Sequence, residues 1–430
     1  MEDGITWLST MRTRFRQDAF YRHALMFTAA NLLASVINYA YYPIMGRLIG
    51  LSGYGELQIV TSFLLQLTTV FVGLNLINVN IFTNHDEHER KALIVALQKA
   101  LFWLMIVISI GVAIASPFLQ TFFHFSSVVP FLFIIPSLLV DAVSIFWTSY
   151  LQAKQDFFSL SAYSVSTAVG KLIFSAALVA VGFGVAGGIG GIALGLVGGL
   201  ICAGLSTKHA LPRLVQTMHA PTHHEFTLIS AHLSYIVEVI VALIGMSVLL
   251  SLDTMLVKHW YGADFAGHYA GISTVARIIF FASSPIVTVM LPSISLHDRR
   301  QSQAAFLRTI GLSAIICTAG LLVFALVPHL VITIFLGAPF ATQASWLPLL
   351  GLIAVLVTLT NIIINYLLAL RSHLALVVSL LSVGLATLLM GVHHSSVPQI
   401  VLAACGGLVG GQLVFWVNLL VRGQRLGKTA

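Results

Sequence analysis

Five ionisable residues lie inside long apolar stretches of this sequence, namely Asp141, Lys171, Glu238, Asp253 and Arg277. An ionised side chain is costly in the hydrocarbon of a membrane, so such residues usually mark a transport pathway, a proton relay or a buried ion pair. What they can do depends on the elements that hold them.

The composition indicates that these stretches cross a membrane. Of 430 residues, 58% are hydrophobic and 8% are charged, and the mean hydropathy is +0.98. Soluble domains carry about 25% charged residues. The apolar stretches are about 20 residues long and do not alternate in polarity, which favours spanning helices over a barrel. A soluble enzyme is therefore excluded, and the net charge of +7 reports membrane topology rather than nucleic-acid binding.

We predict an all-α polytopic protein with both termini in the cytoplasm, because basic residues are concentrated in alternate loops and in both terminal segments. The segments are an N-terminal segment (1–23), an N-lobe (24–207), a linker (208–228), a C-lobe (229–421) and a C-tail (422–430). In the first segment, apolar residues alternate with arginines, which fits either an amphipathic helix or a polar tail. The twelve predicted spans are 24–48, 56–80, 93–117, 129–152, 159–183, 185–206, 229–257, 266–291, 305–328, 346–369, 373–393 and 398–421.

The sequence also repeats itself. The motif Gly-Leu-Val-Gly-Gly occurs at 195–199 and again at 407–411, an offset of 212 that also relates Gly55 to Gly267. Two six-span halves of the same topology are expected to be related by an axis along the membrane normal. Such lobes can enclose a cavity whose access alternates; the other interpretation is a duplicated scaffold without a cavity. The glycines of spans six and twelve are expected to serve close helix packing rather than substrate binding.

Asp141 and Lys171 lie at matching positions in spans four and five. Asp141 is 14 residues before the turn near Gln155 and Lys171 is 16 residues after it. At about 1.5 Å per residue, both lie roughly 21–24 Å from that turn. We therefore predict an ion pair, either purely structural or opened by protonation or by an anionic ligand.

Arg277 lacks so obvious a partner. Asp253 is 9 residues before the turn near Gly262 and Arg277 is 15 residues after it, so their depths differ by about 9 Å. An arginine without a nearby acid should face water or an anion, and guanidinium suits bidentate phosphate contacts. We predict an anion site at Arg277; the alternative is a structural arginine bonded to carbonyls. Glu238 and Asp253 are assigned to ion coupling or to buried pairs.

Span one adds polar groups on one helical stripe. Asn31 and Asn38 are seven residues apart, and Arg47 follows beyond Pro43. Sugar contacts and interhelical hydrogen bonds explain such asparagines equally well. The predicted substrate-binding residues are Arg277, Lys171, Arg47, Asn31 and Asn38.

No cofactor or metal site is predicted. The sequence Gly427-Lys428-Thr429 lacks the spacing of a phosphate-binding loop. The cysteines lie in apolar stretches without a CxxC pair. Energy is therefore expected from an ion gradient or the membrane potential rather than from ATP.

Several segments carry a family resemblance. Residues 38–50, Asn-Tyr-Ala-Tyr-Tyr-Pro-Ile-Met-Gly-Arg-Leu-Ile-Gly, followed by Gly-Tyr-Gly at 53–55, resemble the first-span signature of bacterial polysaccharide transporters. These are the O-antigen and oligosaccharide flippases of the multidrug/oligosaccharidyl-lipid/polysaccharide exporter superfamily. Residues 253–292 resemble that family's spans seven and eight, and 366–369 resemble its span-ten ending. Length, span number and duplication fit across nearly the whole chain.

The resemblance implies a two-lobe transporter of the bacterial inner membrane with a cationic central cavity and no enzymatic activity. Its substrate would be an undecaprenyl-pyrophosphate-linked oligosaccharide, such as an O-antigen, capsule or exopolysaccharide unit. The partners would be membrane lipid, a polysaccharide polymerase and other glycan-assembly proteins, and not nucleic acid. Arg277 falls where related flippases place a span-eight arginine, whereas Arg47 would either bind substrate or anchor the helix end. The alternatives are an ion-coupled multidrug exporter, whose cavity would be acidic, and a non-transporting scaffold.

Overall fold

A computed structural model describes residues 19–84, 87–154, 156–206, 237–291, 294 and 298–427. Within these ranges every regular element is helical, as predicted. The proposed N-terminal amphipathic helix and the linker at 208–228 lie outside the described residues. The helices are Ala19–Asn84, Glu87–Phe122, Val129–Leu132, Ile134–Ala153, Phe157–Leu178, a π-helical turn Val179–Phe183, Gly184–Ser206, Val237–Leu249, Leu252–Trp260, Ala263–Ala276, Ile278–Met290, Arg299–Leu326, Pro328–Phe335, Ala338–Ala341, a 3-10 turn Ala344–Trp346, Leu347–Ala369, Leu374–Val392 and Val397–Gly427.

These helices accommodate the twelve predicted spans. Nine described helices are long and apolar enough to cross a membrane, and a bent pair, Val237–Leu249 and Leu252–Trp260, makes a tenth. Two of the nine are long enough for two spans each, because Ala29–Phe71 has 43 residues and Phe157–Ser206 has 50. The first is broken at Gly50, whose φ of 78° suits glycine, and the second at the π-helical turn. Ten helices, two of them double, give twelve spans.

The helices form two compact units. The described residues of the first unit lie within Met1–Ile44, Leu74–Ile114 and Val129–Ile229, and those of the second lie within Met45–Gly73, Ala115–Val128 and Ser230–Ala430. Two segments of the predicted N-lobe, 45–73 and 115–128, therefore pack with residues of the predicted C-lobe.

In the first unit, spans five and six pack along a stripe of glycines. A Cβ added at Gly195 would lie 2.4 Å from the backbone nitrogen of Lys171, and one added at Gly199 would lie 1.9 Å from Thr167 Oγ1. Only glycine permits so close an approach, which agrees with the packing role expected for this motif. The backbone around Lys171 is thereby held directly against span six.

The second unit contains two further sites where a glycine allows two backbones to approach closely. In spans eleven and twelve, a Cβ at Gly407 would lie 2.3 Å from the backbone of Ala386. Near the break in the first helix, a Cβ at Gly267 would lie 2.1 Å from the carbonyl oxygen of Leu51, and one at Gly55 would lie 3.2 Å from the nitrogen of Gly267. Gly55 and Gly267 are equivalent positions of the repeat. The close contact therefore joins two positions that the sequence repeat makes equivalent.

Candidate functional site

Lys171 forms the first of two buried cationic clusters. Its ammonium nitrogen lies 4.2 Å from the ring centroid of Tyr41 and 5.5 Å from that of Tyr42. It also donates a long hydrogen bond of 3.4 Å to the Asn38 side-chain oxygen. Aromatic faces stabilise a cation through their quadrupole without neutralising it. This cluster therefore holds a positive charge against neutral groups of span one.

Tyr41 is fixed by a backbone carbonyl. Its hydroxyl donates to the carbonyl oxygen of Gly188 at 3.0 Å, and Ser175 Oγ donates to the same oxygen at 2.8 Å. The ring is completely buried. One carbonyl of span six thus joins spans one and five and sets the surface on which the Lys171 ammonium lies.

The predicted Asp141–Lys171 ion pair is wrong. Among the described residues, no carboxylate lies within 4 Å of the Lys171 ammonium. Side chains of a helix lean toward its N-terminus. In spans four and five the residue count gives Asp141 and Lys171 similar depths, but it does not give the direction in which either side chain points around its helix.

Arg277 is the centre of the second cluster, at the interruption of span eight between Ala263–Ala276 and Ile278–Met290. Its Nη2 lies 3.4 Å from Asp253 Oδ1 and donates to Thr254 Oγ1 at 2.6 Å. Ser273 Oγ donates to the other Asp253 oxygen at 3.0 Å. These four side chains are buried. The expectation that Arg277 lacks an acidic partner is therefore wrong.

The same lean of side chains explains this error. Asp253 precedes the turn near Gly262 and leans away from it, whereas Arg277 follows the turn and leans toward it. The two side chains therefore converge across the depth difference that the residue count gives. Span seven is also bent by 52° just before Asp253, which a straight-helix count ignores.

The contact with Asp253 leaves two of the three guanidinium nitrogens of Arg277, Nε and Nη1, without a described acceptor. We call the planar set of N–H donors on this guanidinium its fork. Both described hydrogen bonds use Nη2. No described residue accepts a hydrogen bond from Nε or Nη1, and neither nitrogen is among the described buried atoms that are sealed without a partner. Guanidinium has five N–H donors in a fixed planar arrangement. Asp253 and Thr254 therefore bind Nη2 of the guanidinium, and the N–H donors on Nε and Nη1 can bind an anion.

Of the other predicted substrate-binding residues, only Asn38 belongs to one of the two clusters. Asn38 joins the Lys171 cluster, whereas the described contact of Asn31 is its carbonyl oxygen, which accepts from Ser35 Oγ at 2.8 Å. Arg47 is exposed, and its Nη2 donates to the carbonyl oxygen of Ile334 at 2.8 Å, so it anchors a helix end.

Glu238 belongs near a membrane surface rather than in mid-span. Its Oε2 lies 2.8 Å from Nδ1 of His373, whose side chain is 91% exposed in the turn between spans ten and eleven. The contact with this turn residue places Glu238 near an end of its span, although only 13% of its own side chain is exposed.

Sequence reasoning missed two members of the Lys171 cluster, Tyr41 and Tyr42. A usable signal was present, because they follow Asn38 by three and four residues and therefore share its face of the helix. The same two tyrosines also belong to the segment 38–50 that resembles a family signature, and that resemblance does not indicate a contact with a buried cation.

Comparison with solved structures identifies the fold. The chain resembles an inward-facing multidrug resistance MATE family transporter of the MOP superfamily at 12% identity, covering 95% of this chain and 99% of that one, with a TM-score of 0.73. It resembles the lipid II flippase MurJ at 14% identity, covering 92% and 87%, with a TM-score of 0.66. A eukaryotic MATE transporter, AtDTX14, gives 14% identity, 93% and 96% coverage, and a TM-score of 0.64. At these identities the similarity establishes the fold alone.

Sequence comparison identifies the family. No curated protein matches the chain significantly. A family model described as polysaccharide biosynthesis protein matches residues 20–296, which is more than half of the sequence. The chain is therefore a multi-pass membrane protein that belongs to the polysaccharide biosynthesis protein family.

Proposed function

We propose that this protein is a flippase for lipid-linked oligosaccharide. It moves a polyprenyl-pyrophosphate carrying an O-antigen, capsule or exopolysaccharide unit from the cytoplasmic to the outer leaflet of the bacterial inner membrane by alternating access. The family match to polysaccharide biosynthesis and a fold shared with a lipid II flippase support this assignment.

The observation that carries the proposal is the partly used fork of Arg277. A pyrophosphate presents several anionic oxygens, and guanidinium binds such groups through two parallel hydrogen bonds. Arg277 commits Nη2 to Asp253 and Thr254 and leaves Nε and Nη1 without a described acceptor. Asp253 and Thr254 therefore act as positioning residues that fix the plane in which the anion is received.

The charges of the two cationic clusters support this function over multidrug export, although Asp141 in span four has no cationic partner among the described residues. A cation exporter needs acidic groups free to bind cations, but Asp253 is paired with Arg277. Lys171, by contrast, has aromatic and amide partners rather than a described carboxylate. Both clusters therefore favour an anionic substrate.

The test measures glycan export in cells that depend on this protein, normalised to the amount folded in the membrane. Arg277→Ala should lower export per molecule at least tenfold, and Arg277→Lys should restore only part of it, because lysine keeps the charge and loses the fork. The control is Arg300→Ala, which removes an exposed arginine at the start of span nine. Normal export per molecule from Arg277→Ala would refute the proposal. If the amount of folded protein also fell, the role of Arg277 would be structural.

A further inference from the structure

We infer that Lys171, Tyr41, Tyr42 and Asn38 form a second subsite, which binds an anionic group of the saccharide-bearing substrate. The inference rests on the proposed transport of a lipid-linked saccharide, and it assigns that substrate a contact separate from Arg277.

The first argument is charge. The ammonium of Lys171 is held in a membrane-spanning helix, where an unpaired charge is strongly disfavoured. Its described partners are two neutral rings and one neutral amide, at 4.2, 5.5 and 3.4 Å. A structural lysine would be expected to have a carboxylate partner in such surroundings. The arrangement leaves that partner to be supplied by a ligand.

The second argument is geometry. Lys171 carries three N–H donors, and its described hydrogen bond to Asn38 is long for an ammonium. A phosphate or carboxylate oxygen can therefore replace it at a shorter distance. The Asn38 amide would then be free to bind a sugar hydroxyl. Tyr42 is only partly buried, unlike Tyr41.

The third argument is that several contacts fix the positions of Tyr41 and Lys171. Tyr41 is fixed through the Gly188 carbonyl, which Ser175 also uses. The backbone of Lys171 is fixed by Gly195, where any side chain would collide with it. Three spans thus converge to place one ammonium on one ring, as expected for a preorganised binding group.

Two parts of the substrate could supply the anion, namely the pyrophosphate linkage and an acidic sugar. The probes are therefore sodium pyrophosphate and glucuronate, with glucose as the neutral reference. The full-length protein is purified in detergent with Arg277→Ala in the background, so that the first site does not contribute. Binding is measured as the rise of the thermal unfolding midpoint with ligand concentration.

At least one anion should stabilise the Arg277→Ala protein, and adding Lys171→Gln should weaken its apparent affinity at least tenfold. Lys154→Gln is the matched control, because Lys154 also lies near a tyrosine ring, 6.0 Å from the centroid of Tyr150, but is exposed at the end of span four. Glucuronate alone would assign the subsite to an acidic sugar, and pyrophosphate alone to the linkage. Equal affinity with and without Lys171→Gln, or no stabilisation by either anion, would overturn the inference.

A second measurement avoids variants altogether. Amine acetylation of the wild-type protein, read by mass spectrometry, should slow several-fold at Lys171 when the bound anion is present and stay unchanged at Lys154. Equal rates at Lys171 with and without both anions would overturn the inference. Neither assay depends on transport, so their failure is distinguishable from failure of the export test on Arg277.

Discussion

The guanidinium of Arg277 lies 3.4 Å from the carboxylate of Asp253, although Arg277 is six residues farther from the turn that joins their helices. The two side chains lean toward each other because each leans toward the N-terminus of its own helix. Asp253 thus neutralises Arg277 in part and orients its fork, and both residues are buried.

This pair should be energetically coupled. Asp253→Asn leaves a buried guanidinium without its counter-charge, and removal of one partner of a buried pair typically costs about 3–5 kcal/mol. Adding Arg277→Met should recover part of that loss. The measurement is thermal or denaturant unfolding of all four members of the double-mutant cycle, with Asp264→Asn as the exposed control. Additive effects would show that the pair contributes no interaction energy.

Asp141 and Lys171, by contrast, should behave independently. Among the described residues, no ion pair within 4 Å joins them. The interaction energy from the cycle Asp141→Asn, Lys171→Gln and the double variant should be below about 0.5 kcal/mol. Rescue of one variant by the other would instead restore the ion pair that the residue count suggests.

The two pairs, Asp253–Arg277 and Asp141–Lys171, show which features of the structure can be predicted from the sequence and which cannot. Apolar length and composition suffice to predict the helices and the spans, because lipid leaves few ways to satisfy a backbone. Depth along a helix is also readable from residue number. The direction of each side chain and the bend in span seven are not contained in that count, so it paired Asp141 with Lys171 and left Asp253 and Arg277 apart.

The Lys171 cluster was partly predictable. The polarity of Lys171 and Asn38 inside apolar stretches predicts a role for both, and the structure brings the two side chains together. The Gly188 carbonyl that fixes Tyr41 could not be predicted, because a backbone oxygen has no signal in the sequence and becomes a partner only through tertiary packing.

Gly195 should be intolerant of any side chain. A Cβ there would lie 2.4 Å from the backbone nitrogen of Lys171, whereas one at Gly198 meets nothing within 4 Å. Gly195→Ala should therefore separate spans five and six and destabilise the protein by roughly 1–3 kcal/mol through overpacking. Gly198→Ala should be neutral or stabilising by up to about 1 kcal/mol, because alanine is the better helix former. Equal unfolding midpoints for the two variants would contradict this packing.

Gly267 offers a parallel test of close packing in the second unit. A side chain there would collide with the Leu51 carbonyl oxygen, whereas Gly311 in span nine has open space. Gly267→Ala should lower the unfolding midpoint and Gly311→Ala should not. If Gly267→Ala unfolds like the wild type, the close contact between these equivalent positions of the repeat is absent.

The most direct test of the central claim is flipping by purified protein in liposomes. A polyprenyl-pyrophosphate-linked oligosaccharide is placed in both leaflets, and its movement is followed by the fraction that a membrane-impermeant glycosidase can reach. Wild-type protein and Arg300→Ala should flip it at the same rate, well above protein-free liposomes. Arg277→Ala should fall at least tenfold, equivalent to about 1.4 kcal/mol, with Arg277→Lys in between. A wild-type rate no higher than that of protein-free liposomes, or an Arg277→Ala rate equal to the wild type, would contradict the account.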